Sequence, residues 1–245
     1  MNMFQQAQHE MVFRGALILF VSLFTAFDGT SQSSTFSKAY KPGSKLYVHA
    51  LQGLSLRANS DLKAKVIEVI PFGAEVEVIP DTKPKVPITN SNISGTWVKV
   101  KRGANSGYLF DGFLSRLKSM DLPKQERYPH ELIDYLKSMY KVKSETDKSS
   151  DPIYIEYRNI EFTNGVSYDS KSYEGGVSVN VNFPAKVITF QELYLLGRLA
   201  YPEFFEGKGC AYKAENMACE MDDGLTSLEM KKSGDNYLMF FGLAD

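Results

Sequence analysis

Four carboxylates lie close together in the C-terminal part of the sequence, beside its two cysteines. They are Glu215, Glu220, Asp222 and Asp223. Glycosidases need only two Asp or Glu side chains several ångströms apart, one as proton donor and one as base or nucleophile. The same spacing is also typical of a solvated loop, and Asp222 and Asp223 alone are too few for a calcium loop. Carboxylate catalysis is therefore an alternative hypothesis, and no metal site is predicted.

The three histidines are the other candidates for acid–base or metal chemistry. They are His9, His49 and His130. None of them stands at a spacing that is typical of zinc ligands. The sequence also contains no Gly-x-Ser-x-Gly motif and no glycine-rich phosphate loop. These observations predict a protein that is not an enzyme and that needs no cofactor.

The two cysteines, Cys210 and Cys219, are predicted to form a disulfide if the chain is exported, because paired thiols persist in oxidising compartments. The bridge would close a loop of about ten residues, which stabilises the fold by roughly 2.5–3 kcal/mol in the chain-entropy model. A pair of metal-binding or catalytic thiols is the alternative.

An export signal is indicated near the N-terminus. Residues 15–27 (GALILFVSLFTAF) form a run dominated by apolar residues, preceded by Arg14 and followed by small polar residues. The run is shorter than the roughly 20 residues of a transmembrane helix, and its order is that of a signal peptide. We expect residues 1–31 to be removed by a cut before Gln32, with translation beginning at Met11. The alternatives are an uncleaved anchor and a buried core helix.

The charge balance excludes two classes of partner. The chain has 28 basic and 29 acidic residues and a net charge of −1. Nucleic-acid-binding domains usually carry a basic face, and anionic lipid attracts polybasic segments. We therefore expect no nucleic-acid partner and, after signal cleavage, no membrane contact. The mature protein is predicted to be periplasmic or secreted.

Short strands at regular spacing follow a Ser/Thr-rich linker, residues 32–44. Residues 54–57, 65–71, 75–80 and 96–101 are predicted to be short strands, and apolar and polar residues alternate in the first, third and fourth of them, a pattern typical of a small all-β barrel. The side chains predicted to form its core are Leu54, Leu56, Val66, Val69, Val76, Val78, Val98 and Val100. The polar residues 81–95 interrupt the pattern and are predicted to form a loop.

The same strands resemble bacterial SH3-like domains over residues 45–118. Residues 54–60 (LSLRANS) resemble the opening LNLRSGPS, and residues 65–73 (KVIEVIPFG) resemble KVIGTLPYG. Residues 97–100 (WVKV) are similar to WYKV, residues 106–109 (SGYL) to TGYV, and residues 113–115 (FLS) to the closing YLS. The long polar insertion is a departure from this pattern.

The resemblance implies a binding module for cell-wall peptide or for an envelope protein. Trp97, Tyr108 and Phe110 are the candidate ligand contacts, since exposed aromatic rings offer flat apolar area. A structural role in the barrel core is the alternative for Trp97. The cysteine peptidases that accompany SH3-like domains place their histidine after the nucleophile, and no histidine follows Cys210 or Cys219.

The remaining chain is predicted to be an α+β domain, residues 129–245, after a charged linker at residues 119–128. A helix is expected after Pro129, and Thr189 and Glu192 match a capping box at the start of a second helix. Alternating residues predict strands at 153–162 and 176–183 and a terminal hairpin about residues 233–236. Residues 141–151 are expected to be a polar loop.

The sequence thus predicts a multi-domain protein, a small all-β SH3-like barrel followed by an α+β domain. The leading functional hypothesis is an exported, non-enzymatic binding protein whose barrel engages cell-wall peptide or a protein ligand. The alternatives are a cell-wall hydrolase that uses C-terminal carboxylates and an envelope protein-interaction or assembly factor.

Overall fold

The computed structural model describes residues 34–35, 40–83, 86–90, 93–120, 130–150, 155–205, 210–212, 214–221 and 224–244. The described residues belong to one compact unit. Among them, 52% lie in strands and 15% in helices. The predicted signal peptide, as well as Asp222 and Asp223, lies outside the described residues.

The first lobe is a seven-stranded sheet built from the alternating segments. Its strands are β2 (Lys45–Val48), β3 (Leu54–Arg57), β4 (Val66–Ile70), β5 (Glu75–Val78), β8 (Trp97–Arg102), β9 (Asn105–Phe110) and β10 (Leu114–Ser115). Their order across the sheet is β10-β2-β5-β8-β9-β3-β4. Six of the predicted core residues are buried: Leu54, Leu56, Val76, Val78, Val98 and Val100.

The predicted burial of Val66 and Val69 is wrong. Both side chains lie on β4 and are exposed. Within the described part of the chain, β4 is the last strand of the sheet and pairs with β3 alone. Val69 is opposite Ser55 and Val66 is opposite Arg57, whereas the buried Leu54 and Leu56 point to the other face of β3. Directly opposite residues share a face, so both valines are on the outward face of the sheet.

The polar insertion is partly ordered as strands, whereas a loop was predicted. It contains β6 (Ile88–Asn90) and β7 (Ile93–Gly95), which form a three-stranded sheet with β1 (Ser34–Thr35). Ile93 on β7 is buried in the core of the protein. The insertion therefore packs on the first lobe and covers part of its surface.

The second lobe is an eight-stranded antiparallel sheet. Its strands, in the order of the sheet, are β11 (Val142–Ser150), β12 (Ile155–Phe162), β13 (Ser167–Tyr173), β14 (Gly176–Pro184), β18 (Asn236–Ala244), β17 (Thr226–Ser233), β16 (Asn216–Glu220) and β15 (Cys210–Tyr212). The predicted α+β class is wrong, because most described residues of this lobe belong to one sheet. The two α-helices of the described chain are α1 (His130–Met139) and α2 (Phe190–Ala200).

The main cause of this difference is β11, which was predicted to be a loop. Its polar composition is typical of a loop. In the structure it is an edge strand of the sheet and pairs with β12 over eight register positions. Cross-strand ion pairs join the two strands, with Lys143 Nζ 2.8 Å from Glu161 Oε2 and Arg158 Nε 2.8 Å from Asp147 Oδ1. Charged side chains are common on edge strands because they discourage edge-to-edge aggregation.

The predicted helix signals are confirmed. Leu132, Ile133 and Leu136 of α1 are buried. At the start of α2, the Glu192 amide donates to Thr189 Oγ1 over 3.2 Å and the Thr189 amide donates to Glu192 Oε2 over 2.9 Å. This is the reciprocal capping box, which satisfies two backbone donors at the helix N-terminus.

The terminal hairpin is also confirmed. β17 and β18 pair from Ser233↔Asn236 along their whole length, and Gly234 in the turn has a φ of 58°. Inward-facing side chains of the sheet, such as Met230 and Met239, are buried beneath α2. A Cβ at Gly197 of α2 would lie 2.8 Å from Met230 Sδ, so a glycine at this helix position allows the close approach to the sheet.

The N-terminal turn of α2 connects the two lobes. Arg116, just after β10, donates to the Glu192 carboxylate from Nε over 2.7 Å and from Nη2 over 2.6 Å. Gln191 Nε2 donates to the backbone carbonyls of Asp111 and Leu114. The lobes therefore share a polar network that is largely buried.

Candidate functional site

The three aromatic residues predicted to contact a ligand are inside the first lobe. Trp97 begins β8, and Tyr108 and Phe110 lie on β9, where Phe110 is opposite Trp97. Their side chains are 5%, 4% and 2% exposed, respectively. The structure therefore brings them together, but not as an exposed aromatic face, and the predicted mode of ligand contact is not supported.

The insertion accounts for much of this burial. A Cβ placed on Gly95 would lie 2.8 Å from the Phe110 ring, so β7 runs directly against that ring. Tyr108 donates from its hydroxyl to Asp81 Oδ1 over 3.2 Å, and Lys83 Nζ lies 4.9 Å from the centre of the ring. Burial, together with the Asp81 carboxylate, raises the pKa of Tyr108. The surface that the resemblance assigns to a ligand is occupied by this chain itself.

Exposed apolar side chains are concentrated at one edge of the sheet, along β4. Five of the large apolar residues exposed in the described chain lie on or beside β4: Leu51 (43%), Leu62 (52%), Val66 (40%), Ile67 (41%) and Val69 (55%). We call these five residues the β4 edge. Exposed apolar side chains that are grouped along one strand often mark an interaction site.

A β-bulge explains why consecutive residues of β4 are exposed. Leu56 is opposite Glu68, but the next residue of β3, Arg57, is opposite Val66. Ile67 is therefore the extra residue of the bulge. A bulge breaks the strict alternation of side chains and increases the local twist, which turns Ile67 outward together with Val66.

The charges around the β4 edge are predominantly positive. Lys63 and Lys65 are exposed in the segment that leads into β4. The Glu68 carboxylate, by contrast, accepts hydrogen bonds from Arg102 Nη1 over 2.5 Å and from Asn105 Nδ2 over 2.9 Å. Arg57 Nη1 donates to the carbonyl of Ala64 over 2.9 Å and so holds the turn before the strand. The one carboxylate on the strand is thus neutralised, while the two lysines beside it have no ion-pair partner among the described residues.

The carboxylates beside the cysteines do not converge on a catalytic arrangement in the described chain. Glu215 accepts a hydrogen bond from the Tyr237 hydroxyl over 2.6 Å and an ion pair from Lys232 Nζ over 3.0 Å. Burial raises the pKa of Glu215, but the hydrogen bonds from Tyr237 and Lys232 outweigh it and lower the pKa overall. Glu220 is exposed at the end of β16. These contacts of Glu215 with Tyr237 and Lys232 indicate a structural role for its carboxylate.

His49 is a core residue. Its ring is 2% exposed, and Nε2 lies 3.0 Å from the carbonyl oxygen of Leu117. Burial lowers the pKa of His49 despite this hydrogen bond, so the imidazole is neutral at pH 7. No group of His, Cys, Asp and Glu among the described residues has a geometry that could hold a metal ion.

The predicted disulfide is confirmed. Cys210 of β15 and Cys219 of β16 are directly opposite in the ladder, and their sulfur atoms are bonded at 2.00 Å. The bridge therefore fastens the short edge strand β15 to its neighbour. Within the described part of the chain, no helix has the length and apolar content needed to cross a membrane.

Comparisons with known proteins do not assign the chain to a family. No family model matches the sequence, and neither a curated protein nor a solved structure shows a significant match. The resemblance of residues 45–118 to SH3-like domains therefore stays a prediction.

Proposed function

We propose that the chain is an exported, non-enzymatic binding protein, and that its first lobe is an SH3-like domain that holds an extended segment of a partner protein along β4. The observation that carries the proposal is the coincidence of an edge strand with the largest concentration of exposed apolar side chains in the described chain. The Cys210–Cys219 bridge supports export, because such bonds persist in oxidising compartments.

Strand addition is the mode of recognition that this edge favours. The outer side of an edge strand presents backbone N–H and C=O groups that an extended segment can pair with. Backbone hydrogen bonds then supply affinity, and side-chain contacts on alternate positions supply specificity. Val69 and Ile67 would contact apolar side chains of the partner, whereas Lys63 and Lys65 favour a segment that also carries carboxylates.

A second copy of this chain is a poorer occupant than an acidic segment. Pairing two copies of β4 would offer Lys63 and Lys65 of either copy no free carboxylate of the partner strand, whereas an acidic segment supplies one. The neutralised Glu68 offers little compensation, because Arg102 and Asn105 already bind its carboxylate.

The test uses an acetylated and amidated octapeptide in which valine and glutamate alternate. We expect it to bind the mature protein, and we expect Val69→Ser combined with Ile67→Ser to weaken binding by about thirtyfold or more, since two buried apolar contacts of roughly 1 kcal/mol or more are lost. Titration calorimetry measures both. Binding should also weaken with salt, because exposed charge pairs are screened.

Two controls separate strand addition from adhesion to an apolar surface. The variant Val86→Ser removes another exposed valine of the same lobe, 60% exposed, and should leave the affinity unchanged. The same peptide with N-methyl groups on alternate amides cannot pair with β4 and should not bind. Equal binding of the methylated peptide, no binding of either peptide, or a dimer of the free protein that Val69→Ser dissociates would each overturn the proposal.

A further inference from the structure

The outward face of the second sheet carries an unusual row of side chains near its β11 edge. Lys148 is opposite Tyr157, Tyr157 is opposite Lys171, and Lys171 is opposite Ser178. Residues that are directly opposite in an antiparallel sheet point to the same face. With strands about 4.8 Å apart, this row of four side chains extends over about 14 Å.

The row contains one exposed aromatic side chain, Tyr157, and a second one, Tyr173, lies on the same face two residues after Lys171. Tyr157 is 44% exposed and Tyr173 is 37% exposed. Lys171 Nζ lies between them, 5.7 Å from the centre of the Tyr157 ring and 5.4 Å from that of the Tyr173 ring. Exposed tyrosine rings beside a cation offer a flat surface that can pack against the apolar side of a ligand while polar groups remain at its rim.

A second row runs parallel to the first, about 7 Å away along the strands. It consists of Thr146, Asn159, Asp169 and Asn180, again paired position by position. Asn159 Nδ2 donates to Asp169 Oδ1, so these two side chains hold each other in place. The row presents hydroxyl, amide and carboxylate groups, which can both donate and accept hydrogen bonds.

An open groove of about 430 Å³ lies over the two rows. A larger cleft of about 560 Å³ lies at the end of the same strands. Two charged side chains of this cleft already form an ion pair with each other, because Arg158 donates to both oxygens of Asp147 over 2.8 and 3.0 Å. In the groove, by contrast, Lys148 and Lys171 have no ion-pair partner among the described residues.

We propose that this groove binds a saccharide that carries carboxylate groups. The Tyr157 ring packs against the apolar side of a sugar ring, and Asn159, Asn180 and Ser178 pair with its hydroxyls. Lys148 and Lys171, on either side of Tyr157, bind the carboxylates. Their backbone positions are two strand separations apart, about 10 Å, so the two ammonium groups can bind carboxylates on different sugar units. This site is on the other lobe from the β4 edge and does not depend on it.

The experiment compares trigalacturonate with uncharged maltotriose, using titration calorimetry on the mature protein at low ionic strength. We expect trigalacturonate to bind at least about tenfold more tightly. Tyr157→Ala should weaken binding of trigalacturonate by a similar factor, and Lys148→Gln with Lys171→Gln should remove the preference for the charged sugar. All three side chains are on the surface, so the variants are expected to fold, and thermal melting verifies this.

Lys186→Gln is the matched control, because Lys186 is an exposed lysine in the turn after β14, outside the groove. It should leave the affinity for trigalacturonate unchanged. Equal binding of maltotriose and trigalacturonate would overturn the assignment of the lysines to carboxylates. Binding of neither sugar, or an equal loss in the Lys186 variant, would overturn the site itself.

Discussion

Arg116→Ala is expected to lower the free energy of unfolding by about 3 kcal/mol at pH 7, since removing one partner of a buried ion pair typically costs 3–5 kcal/mol. Glu192 is only 2% exposed, so in the variant its charge would remain buried without a cation. The lower end of the range applies because Arg116 itself is 37% exposed and water can partly replace it. Urea unfolding monitored by the single Trp97 measures the change.

The dependence on pH distinguishes loss of the ion pair from loss of packing. Burial raises the pKa of Glu192, but the Arg116 hydrogen bonds and charge outweigh it, and the pKa lies below its ordinary value of 4.5. A carboxyl whose pKa is lowered by folding stabilises the protein above pH 4.5, and this contribution is lost as pH falls through the folded-state pKa. In Arg116→Ala the backbone amides of residue 116 and Thr189 still donate to Glu192, but the guanidinium no longer offsets burial. The pKa of Glu192 is therefore higher in the variant, and protonation of the carboxyl removes part of the destabilisation. The difference between wild type and variant should therefore shrink from pH 7 to pH 4.

The matched control is Lys143→Ala, which removes an ion pair with Glu161 on the exposed edge of the second sheet. Exposed ion pairs contribute little to stability, so the free energy of unfolding of this variant should equal that of the wild type. An Arg116→Ala effect that is the same at pH 4 and pH 7, or no larger than that of Lys143→Ala, would contradict the role assigned to the pair. Because Arg116 and Glu192 belong to different lobes, a single cooperative transition in the wild type is also expected.

The parts of the fold that the sequence predicts correctly depend on neighbouring residues. The Thr189–Glu192 capping box and the turn at Gly234 are each complete within a few residues, so their sequence signals are sufficient. The alternation of Val76 and Val78 likewise determines which face of a central strand is buried. Local chemistry determines local structure at these positions, whatever the surrounding fold.

The errors arise where a distant segment decides the outcome. Val66 and Val69 were predicted to be core residues, but the register of β4 with β3 and the bulge at Ile67 place both valines on the outward face, and no local pattern reveals that register. The polar β11 reads as a loop because its partner strand, rather than its composition, stabilises it. The α+β class was wrong because strands were underestimated in the second lobe, whereas both predicted helices are present.

The candidate sites were missed for a related physical reason. The sequence identifies Trp97, Tyr108 and Phe110 as aromatic residues on strands, but their burial depends on where Ile93 and Asp81 of the insertion pack. The proposed saccharide groove is formed by the four strands β11 to β14. Its two rows of side chains are aligned only in the observed pairing of these strands. Polar residues of β11, β12 and β13 carry no sequence signal that they face one groove.

Replacement of both cysteines by alanine is also expected to have a large effect on the free energy of unfolding. Cys210→Ala with Cys219→Ala should lower the free energy of unfolding by roughly 2.5–3 kcal/mol, because the open chain regains the entropy of a loop of about ten residues. The strand that the bridge secures is short: β15 has three register pairs with β16 and, among the described residues, no strand on its other side. Hydrogen exchange at β15 should therefore increase more than exchange in β14 or β18.

Reduction of the wild type distinguishes the contribution of the disulfide bond to stability from the contribution of the packing of the sulfur atoms. Cys219 is buried, so the alanine variant loses side-chain contacts as well as the bond, whereas reduced wild type loses only the bond. We expect dithiothreitol to lower the unfolding midpoint of the wild type by most of the difference seen in the double variant, and to leave the double variant unchanged. If reduced and oxidised wild type unfolded at the same urea concentration, the bridge would not stabilise the fold, and β15 would be held by its ladder and by packing alone.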